Sequence, residues 1–212
     1  PHLKRLIKQY KPDAILTHNF RWAKLLKLAA PNTPLTVIHH GGKPRYLKYI
    51  DNIITLTQHE ASNLQKKGFN NVSVIPNYYT NMESFRSTGC QNKIITIGAI
   101  GRLEEEKGFD LLIKAAQNLG VPYKLKLAGT GSKLGTLKQL ADNNVEFLGW
   151  IKNREDLYKN IDILVVPSYK ESFGIVVVEG LSCGLPVISS DTTGPREILT
   201  HKETGLLFTT GC

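Results

Sequence analysis

The sequence predicts two doubly wound α/β domains in series, and three observations carry that reading. Short, apolar, β-branched runs alternate with amphipathic stretches through most of the 212 residues, the pattern of βαβ units on a parallel sheet. The rhythm breaks once, over the polar stretch 77–92, which reads as an inter-domain linker. The charge divides at the same place. Residues 1–92 hold 13 Lys and Arg against 4 Asp and Glu, and residues 93–212 hold 14 of each, so the whole net charge of +9 lies in the first half. Domains are therefore expected over 1–90, linker included, and 91–212.

In the first domain His2 to Gln9 reads as a helix and Ala14 to Thr17 as a strand. Phe20 to Ala29 reads as a helix stopped by Pro31, because proline cannot continue the backbone ladder. Leu35 to His39 and Ile53 to Leu56 are strands, with a helix from His59 to Lys67 ended by Gly68. Val72 to Ile75 is the last strand before Pro76. In the second domain the expected strands are Ile94 to Ile97, Lys124 to Ala128, Val145 to Leu148, Ile163 to Val166, Pro186 to Ser189 and Leu206 to Phe208. The expected helices are Phe109 to Asn118, Lys133 to Asp142, Glu155 to Lys159, Val177 to Cys183 and Pro195 to Leu199.

Composition removes several classes. No apolar run reaches the roughly 18–20 residues that cross a bilayer as a helix. The three cysteines, Cys90, Cys183 and Cys212, are scattered with no CxxC, so neither a disulfide framework nor a zinc site is expected, and a reducing cytoplasm is. A basic first half suits anionic lipid, nucleic acid or a phosphorylated substrate, or is simply a face that keeps the protein soluble. No RNA-binding aromatic motif or zinc finger accompanies it, and nucleic acid is set aside. The chain begins at Pro1 without an initiator Met and stops at Cys212 just after a strand, as a fragment would.

Open parallel sheets bind ligands at the carboxyl ends of their strands, so the segments after each strand are where chemistry is sought. After Ile94 to Ile97 come Gly98 to Gly101, then Arg102 and Lys107. A planar fork and a mobile point charge five positions apart suit a diphosphate, or they simply balance Glu104 to Glu106. After Lys124 to Ala128 comes Gly129-Thr130-Gly131-Ser132 before a helix, a weak anion-loop signal. After Ile163 to Val166 come Glu171 and, eight positions on inside an apolar run, Glu179. A carboxylate buried there needs a hydrogen-bonding partner, such as a ribose diol; the bland readings are a helix-end charge for Glu171 and a surface position for Glu179.

These segments resemble the nucleotide-sugar-binding domain of the GT-B retaining glycosyltransferases, the group 1 (GT4-type) family. The GR(L)xxxKG element is Gly101-Arg102-Leu103 through Lys107-Gly108, the Gly-x-Gly is Gly129 and Gly131, and the FLG is Phe147-Leu148-Gly149. The E(x7)E motif is Glu171 through Glu179, and GLPVI and GxxE(I) follow as Gly184 to Ile188 and Gly194, Glu197 and Ile198. In the first half, Pro12 to His18 is similar to the family's strand ending in His, and Val74-Ile75-Pro76-Asn77 to its inter-domain junction. Tyr78-Tyr79-Thr80 depart from the junction pattern, and the family's first Gly-rich loop and crossing C-terminal helix have no match. The resemblance therefore implies two Rossmann-like domains, the first incomplete.

It also implies transfer of a sugar from UDP or GDP to a glycan or lipid-linked acceptor, with retention at the anomeric carbon. Arg102 and Lys107 would neutralise the leaving diphosphate, so neither metal nor cofactor is expected. Glu171 would touch the sugar, with backbone groups of Phe173, Gly174, Ile175 and Val176 around it, and Glu179 the ribose. Leu148, Gly149, Trp150 and Ile151 would meet the base, with Gly101, Gly129 and Gly131 lining the phosphates. His18 would stand near the reaction centre. Such an enzyme is expected in the cytoplasm, with residues 1–92 against an anionic membrane surface. The alternative is a nucleotide-sugar-binding module, or an incomplete chain, without turnover.

Overall fold

A computed structural model describes residues 2–79 and 94–212. It divides the chain into two compact units, Pro1–Asn77 and Tyr78–Cys212. Most of the expected linker, 80–92, lies outside the described residues.

The first unit opens with helix α1 (His2–Tyr10), then strand β1 (Ile15–Thr17), helix α2 (Ala23–Ala29) and strand β2 (Leu35–His39). Strand β3 (Asn52–Thr55), helix α3 (Gln58–Lys66) and strand β4 (Val72–Val74) complete it. The four strands lie in the order β1-β2-β3-β4, all parallel. Leu35, Val37, Ile53, Ala23 and Leu64 close the core between sheet and helices.

Two local readings are corrected here. Phe20–Trp22 is a separate 3-10 turn, with Asn19 accepting from the Arg21 amide, so Arg21 does not share a helix with Lys24 and Lys27. A second 3-10 helix, Pro44–Tyr49, occupies a stretch where no helix was expected; its six residues are too few to show a period.

The second unit contains strand β5 (Ile95–Ile100), helix α4 (Phe109–Gln117), strand β6 (Tyr123–Ala128), helix α5 (Leu134–Leu140) and strand β7 (Val145–Gly149). Helix α6 (Glu155–Tyr158), strand β8 (Ile163–Val166) and helix α7 (Ile175–Ser182) follow. Strand β9 (Val187–Ser190), helix α8 (Thr193–Ile198) and strand β10 (Leu206–Phe208) end it. The six strands, all parallel, take the order β10-β9-β8-β5-β6-β7. The chain winds outward from β5 through β6 to β7, then returns to β8 on its other side. The switch point between β5 and β8 is where a crevice opens outside the strand ends. Two apolar layers cover the sheet, one around Leu125, Leu127, Ile113 and Phe109, the other around Leu164, Val177, Val187 and Tyr158.

Strand β5 is longer than the sequence indicates. Gly98, Ala99 and Ile100 pair with Lys126, Leu127 and Ala128, so they belong to the strand rather than to the loop after it. Gly98 is needed for packing: a Cβ there would lie 2.5 Å from the Ile161 side chain.

The carboxyl end of β9 carries a polar clamp. Asp191 accepts from Arg196 at 2.7 Å, and from the Thr210 amide and hydroxyl at 2.9 and 2.8 Å. These bonds, the Arg196 one first, hold its carboxyl down to about 2 from the ordinary 3.8. A carboxyl depressed on folding adds stability above its unfolded value and loses it as the pH falls through the folded one. Asp191→Asn is expected to cost about 1–2 kcal/mol at pH 7. The gap from the parent should close as the pH falls from about 4 to about 2. Unfolding midpoints of both proteins at pH 7, 4 and 2 check this.

Candidate active site

The loops after β5, β6 and β7 are laced together by main-chain bonds. The Gly101 amide donates to Ala128 at 3.0 Å, Leu103 to Thr130 at 2.8 Å and Gly129 to Gly149 at 2.7 Å. This contact explains Gly129 and Gly131: a Cβ on either would run into the backbone of Gly101 or Leu103. The Gly-x-Gly loop is thus shaped at least in part by its neighbour loop. The anion expected at this helix start has a counterpart within the chain. Glu104 accepts from the Ser132 amide at 2.9 Å and the Ser132 hydroxyl at 2.6 Å, which holds its carboxyl below the usual range.

Across the switch point, the Tyr169 and Lys170 amides both donate to the Glu106 carbonyl. That ties the loop after β8 to the 3-10 turn Glu105–Lys107. The Gly194 amide donates to the Glu171 carbonyl at 3.2 Å, holding the loop from the other side. Lys107 Nζ consequently lies 2.6 Å from Glu171 Oε2, with side chains 21% and 18% exposed. Their separation of 64 in sequence shows that the fold, not local spacing, makes this pair.

Arg102 is not brought to either of them. Its guanidinium meets Glu106 at 2.5 Å and is 71% exposed. It lines an open cavity of about 560 Å³ with Glu104, Glu105, Glu106 and Tyr169. The alternative in which Arg102 balances the acidic run therefore describes its placement in this structure, and Lys107 departs from it.

Phe173 and Gly174 lead into α7, where Gly174 is the left-handed residue before the first turn. The amides of Ile175 and Val176 fall in that first turn, which has no intrahelical acceptors for them. Glu179 is on the same helix and is only 6% exposed, so the surface reading of it is wrong. Its burial is satisfied from within the chain: Arg154 Nη1 reaches Oε1 and the Tyr158 hydroxyl reaches Oε2, each at 2.6 Å. A partner was required, but a ribose is not the only one. Burial, then the Glu179 charge, pushes the Tyr158 hydroxyl well above its ordinary value, so it stays a donor.

Leu148 and Ile151 pack against the core, while Trp150 is 72% exposed beside Gly149. Arg154 and Tyr158 were missed in the sequence. The only signal was their place after the FLG strand, and nothing in it points to Glu179.

In the first unit His18 follows β1. Its Nδ1 lies 2.9 Å from His40 Nε2, the rings stacked with centroids 5.3 Å apart. Partial burial, then the neighbouring His18 and His39, lower the pKa of His40. His39 is buried, its Nδ1 3.2 Å from Glu60 Oε1. Neither His39 nor His40 stood out in the sequence, because adjacent residues at a strand end show their opposite directions only after folding.

Solved structures similar to this one include HepE from Anabaena in complex with UDP-glucose, with a TM-score of 0.85 at 21% identity, covering 100% of this chain and 69% of that one. The apo form of the lipopolysaccharide outer core galactosyltransferase WaaB gives 0.82 at 19% identity, covering 100% and 66%. At such identities the likeness concerns the fold, and the class it defines is the GT-B kind of α/β protein, built on Rossmann-like units.

Residues 81–211 match the family described as Glycosyl transferases group 1, and the chain belongs to that family. An uncharacterized glycosyltransferase of Haemophilus influenzae is 32% identical over 176 residues, covering 78% of this chain and 49% of that protein. The lipopolysaccharide core biosynthesis glycosyltransferase LpsD of Rhizobium meliloti is 27% identical over 223 residues, covering 99% and 64%. The chain thus spans roughly half to two thirds of the length of these two relatives.

Proposed function

We propose that the second unit binds a UDP- or GDP-sugar and that the protein transfers its glycosyl group to a glycan or lipid-linked acceptor with retention of configuration. The observation that carries this is the Lys107–Glu171 pair at the switch point. An ammonium with three donors spends one on Glu171 and keeps two for phosphate oxygens. As the glycosidic bond breaks, charge grows on the leaving diphosphate, and a fixed cation there stabilises the transition state more than the ground state. Arg102 joins it by exchanging Glu106 for phosphate. With two cations in that role the reading includes no metal or cofactor.

Glu171 faces the sugar, the α7 first-turn amides its hydroxyls, Glu179 the ribose and residues 148–151 the base. His18, tied to His40, serves the acceptor side. On this reading the protein works in the cytoplasm, at the inner face of a membrane. Incubation with labelled UDP- and GDP-hexoses and a lipid-linked acceptor tests the reading, with the anomeric proton coupling of the product reporting configuration. An inverted product overturns retention, and donor binding with no transfer leaves a binding module.

The acceptor side carries a further expectation. Lys4, Arg5 and Lys8 lie on α1, exposed and with no acidic residue in its first turn. Arg21 and Lys24 are exposed as well, while Lys27 is held by Asp51 at 2.6 Å. Near an anionic leaflet each basic residue is worth about 1 kcal/mol, within a Debye length. The chain is expected to sediment with phosphatidylserine vesicles at low salt and to be released at high salt. Changing Lys4, Arg5 and Lys8 to Ala should weaken binding about 100-fold. Failure of the parent to bind at low salt would reduce the basic face to a solubility feature.

A further inference from the structure

Glu179 stands out because its two carboxylate oxygens are engaged by different donors from one short segment. Arg154 precedes α6 and Tyr158 ends it. Each donates to its own oxygen at 2.6 Å. The tyrosine is fully buried and the arginine side chain is 47% exposed, so one donor is locked in the core and the other stands at its edge. The carboxylate is steadied from its backbone too. The Ser182 hydroxyl and the Cys183 amide both donate to the Glu179 carbonyl. Gly180 lets α7 lie so close to β8 that a Cβ there would collide with Leu164.

A buried carboxylate held by a half-exposed arginine is a poor way to gain stability, since a packed apolar residue of the same volume does as well or better. Such a group is more readily explained by what it orients. A carboxylate has about four lone-pair sites. With one site on each oxygen taken, one on each remains, and the plane of the group is fixed. Two acceptors in one plane match the two adjacent hydroxyls of a ribose.

We propose that Arg154 and Tyr158 are positioning residues that hold the Glu179 carboxylate in the one orientation that accepts both hydroxyls of a nucleotide ribose. The inference rests on the reading of Glu179 as the ribose ligand. Without Tyr158 the carboxylate turns towards Arg154, and without Arg154 it is a buried charge with half its support. Either way the second hydroxyl loses its acceptor, while the diphosphate, held elsewhere, does not.

The test is calorimetry with UDP, GDP and their 2′-deoxy counterparts on the whole chain. The variants are Tyr158→Phe, Arg154→Gln, Arg154→Lys and Glu179→Ala. The parent is expected to prefer the ribonucleotide about tenfold, as for a hydrogen bond to a charged group. Tyr158→Phe and Arg154→Gln should erase most of that preference by weakening the ribonucleotide only, and Arg154→Lys should restore it in part. A merely structural role would weaken both nucleotides alike. If Glu179→Ala erases the preference while Tyr158→Phe and Arg154→Gln keep it, the positioning role is wrong and the ribose reading stands. If Glu179→Ala keeps the preference, the ribose reading itself fails. Should Tyr158→Phe not fold, the half-exposed Arg154 variants carry the decision.

Discussion

Replacing Lys107 with alanine is expected to weaken UDP or GDP binding about 100-fold and to leave binding of the bare nucleoside within about twofold. Hydrogen bonds to charged groups contribute about 1.5–3 kcal/mol each, and 1.4 kcal/mol is a factor of ten. Two mechanisms add in the same direction. The diphosphate loses a donor, and Glu171, with its side chain 18% exposed, is left as an unpaired carboxylate facing an anion. Arg102→Ala is expected to cost less, about tenfold, because that side chain is largely solvated and already engaged by Glu106. Calorimetry with nucleotides and nucleosides decides it. Equal losses for UDP and uridine would show that Lys107 only holds the loop.

Gly129→Ala should destabilise the second unit by about 3 kcal/mol or more, with loss of nucleotide binding as a consequence. Its φ of +136° is one that side chains rarely adopt, and the new Cβ would strike the Gly101 carbonyl. The contact is backbone on backbone, so no rotamer can relieve it. Gly149→Ala is the control: φ is +68°, but nothing lies within 4 Å of the added carbon. That change should cost only the left-handed penalty of about 1–2 kcal/mol. Thermal unfolding of the two variants separates collision from conformational preference. Equal effects would mean the three loops are not locked as described.

The elements were legible because each is written in local terms. Apolar runs such as Leu35–His39, Ile163–Val166 and Leu206–Phe208 coincide with strands. The misreadings have local causes as well. The helix α7 begins at Ile175, before the expected Val177, because Gly174 takes the left-handed conformation that starts it. The helix α8 begins at Thr193, ahead of Pro195, which sits in the first turn where its missing N–H costs nothing.

The sequence by itself determined the alternation of strands and helices, the two-part division of charge, and the residues worth watching: Lys107, Glu171, Glu179, the Gly-x-Gly loop and His18. The alternation and the charge division follow from period and composition. The two glutamates, Lys107 and the Gly-x-Gly loop follow from their places after strands, and His18 from the family resemblance alone; all are properties of neighbours along the chain. Only the tertiary structure decided who meets whom. The order β10-β9-β8-β5-β6-β7 puts the loops after β5 and β8 side by side, which makes Lys107 the partner of Glu171 and leaves Arg102 with Glu106. The fold sets the segment 154–158 beside α7, which gives Glu179 to Arg154 and Tyr158, and parallel pairing of β1 with β2 brings His40 to His18. A charge finds its partner through strand order and helix packing, and both are set by burial summed over the whole core rather than by any segment's own pattern.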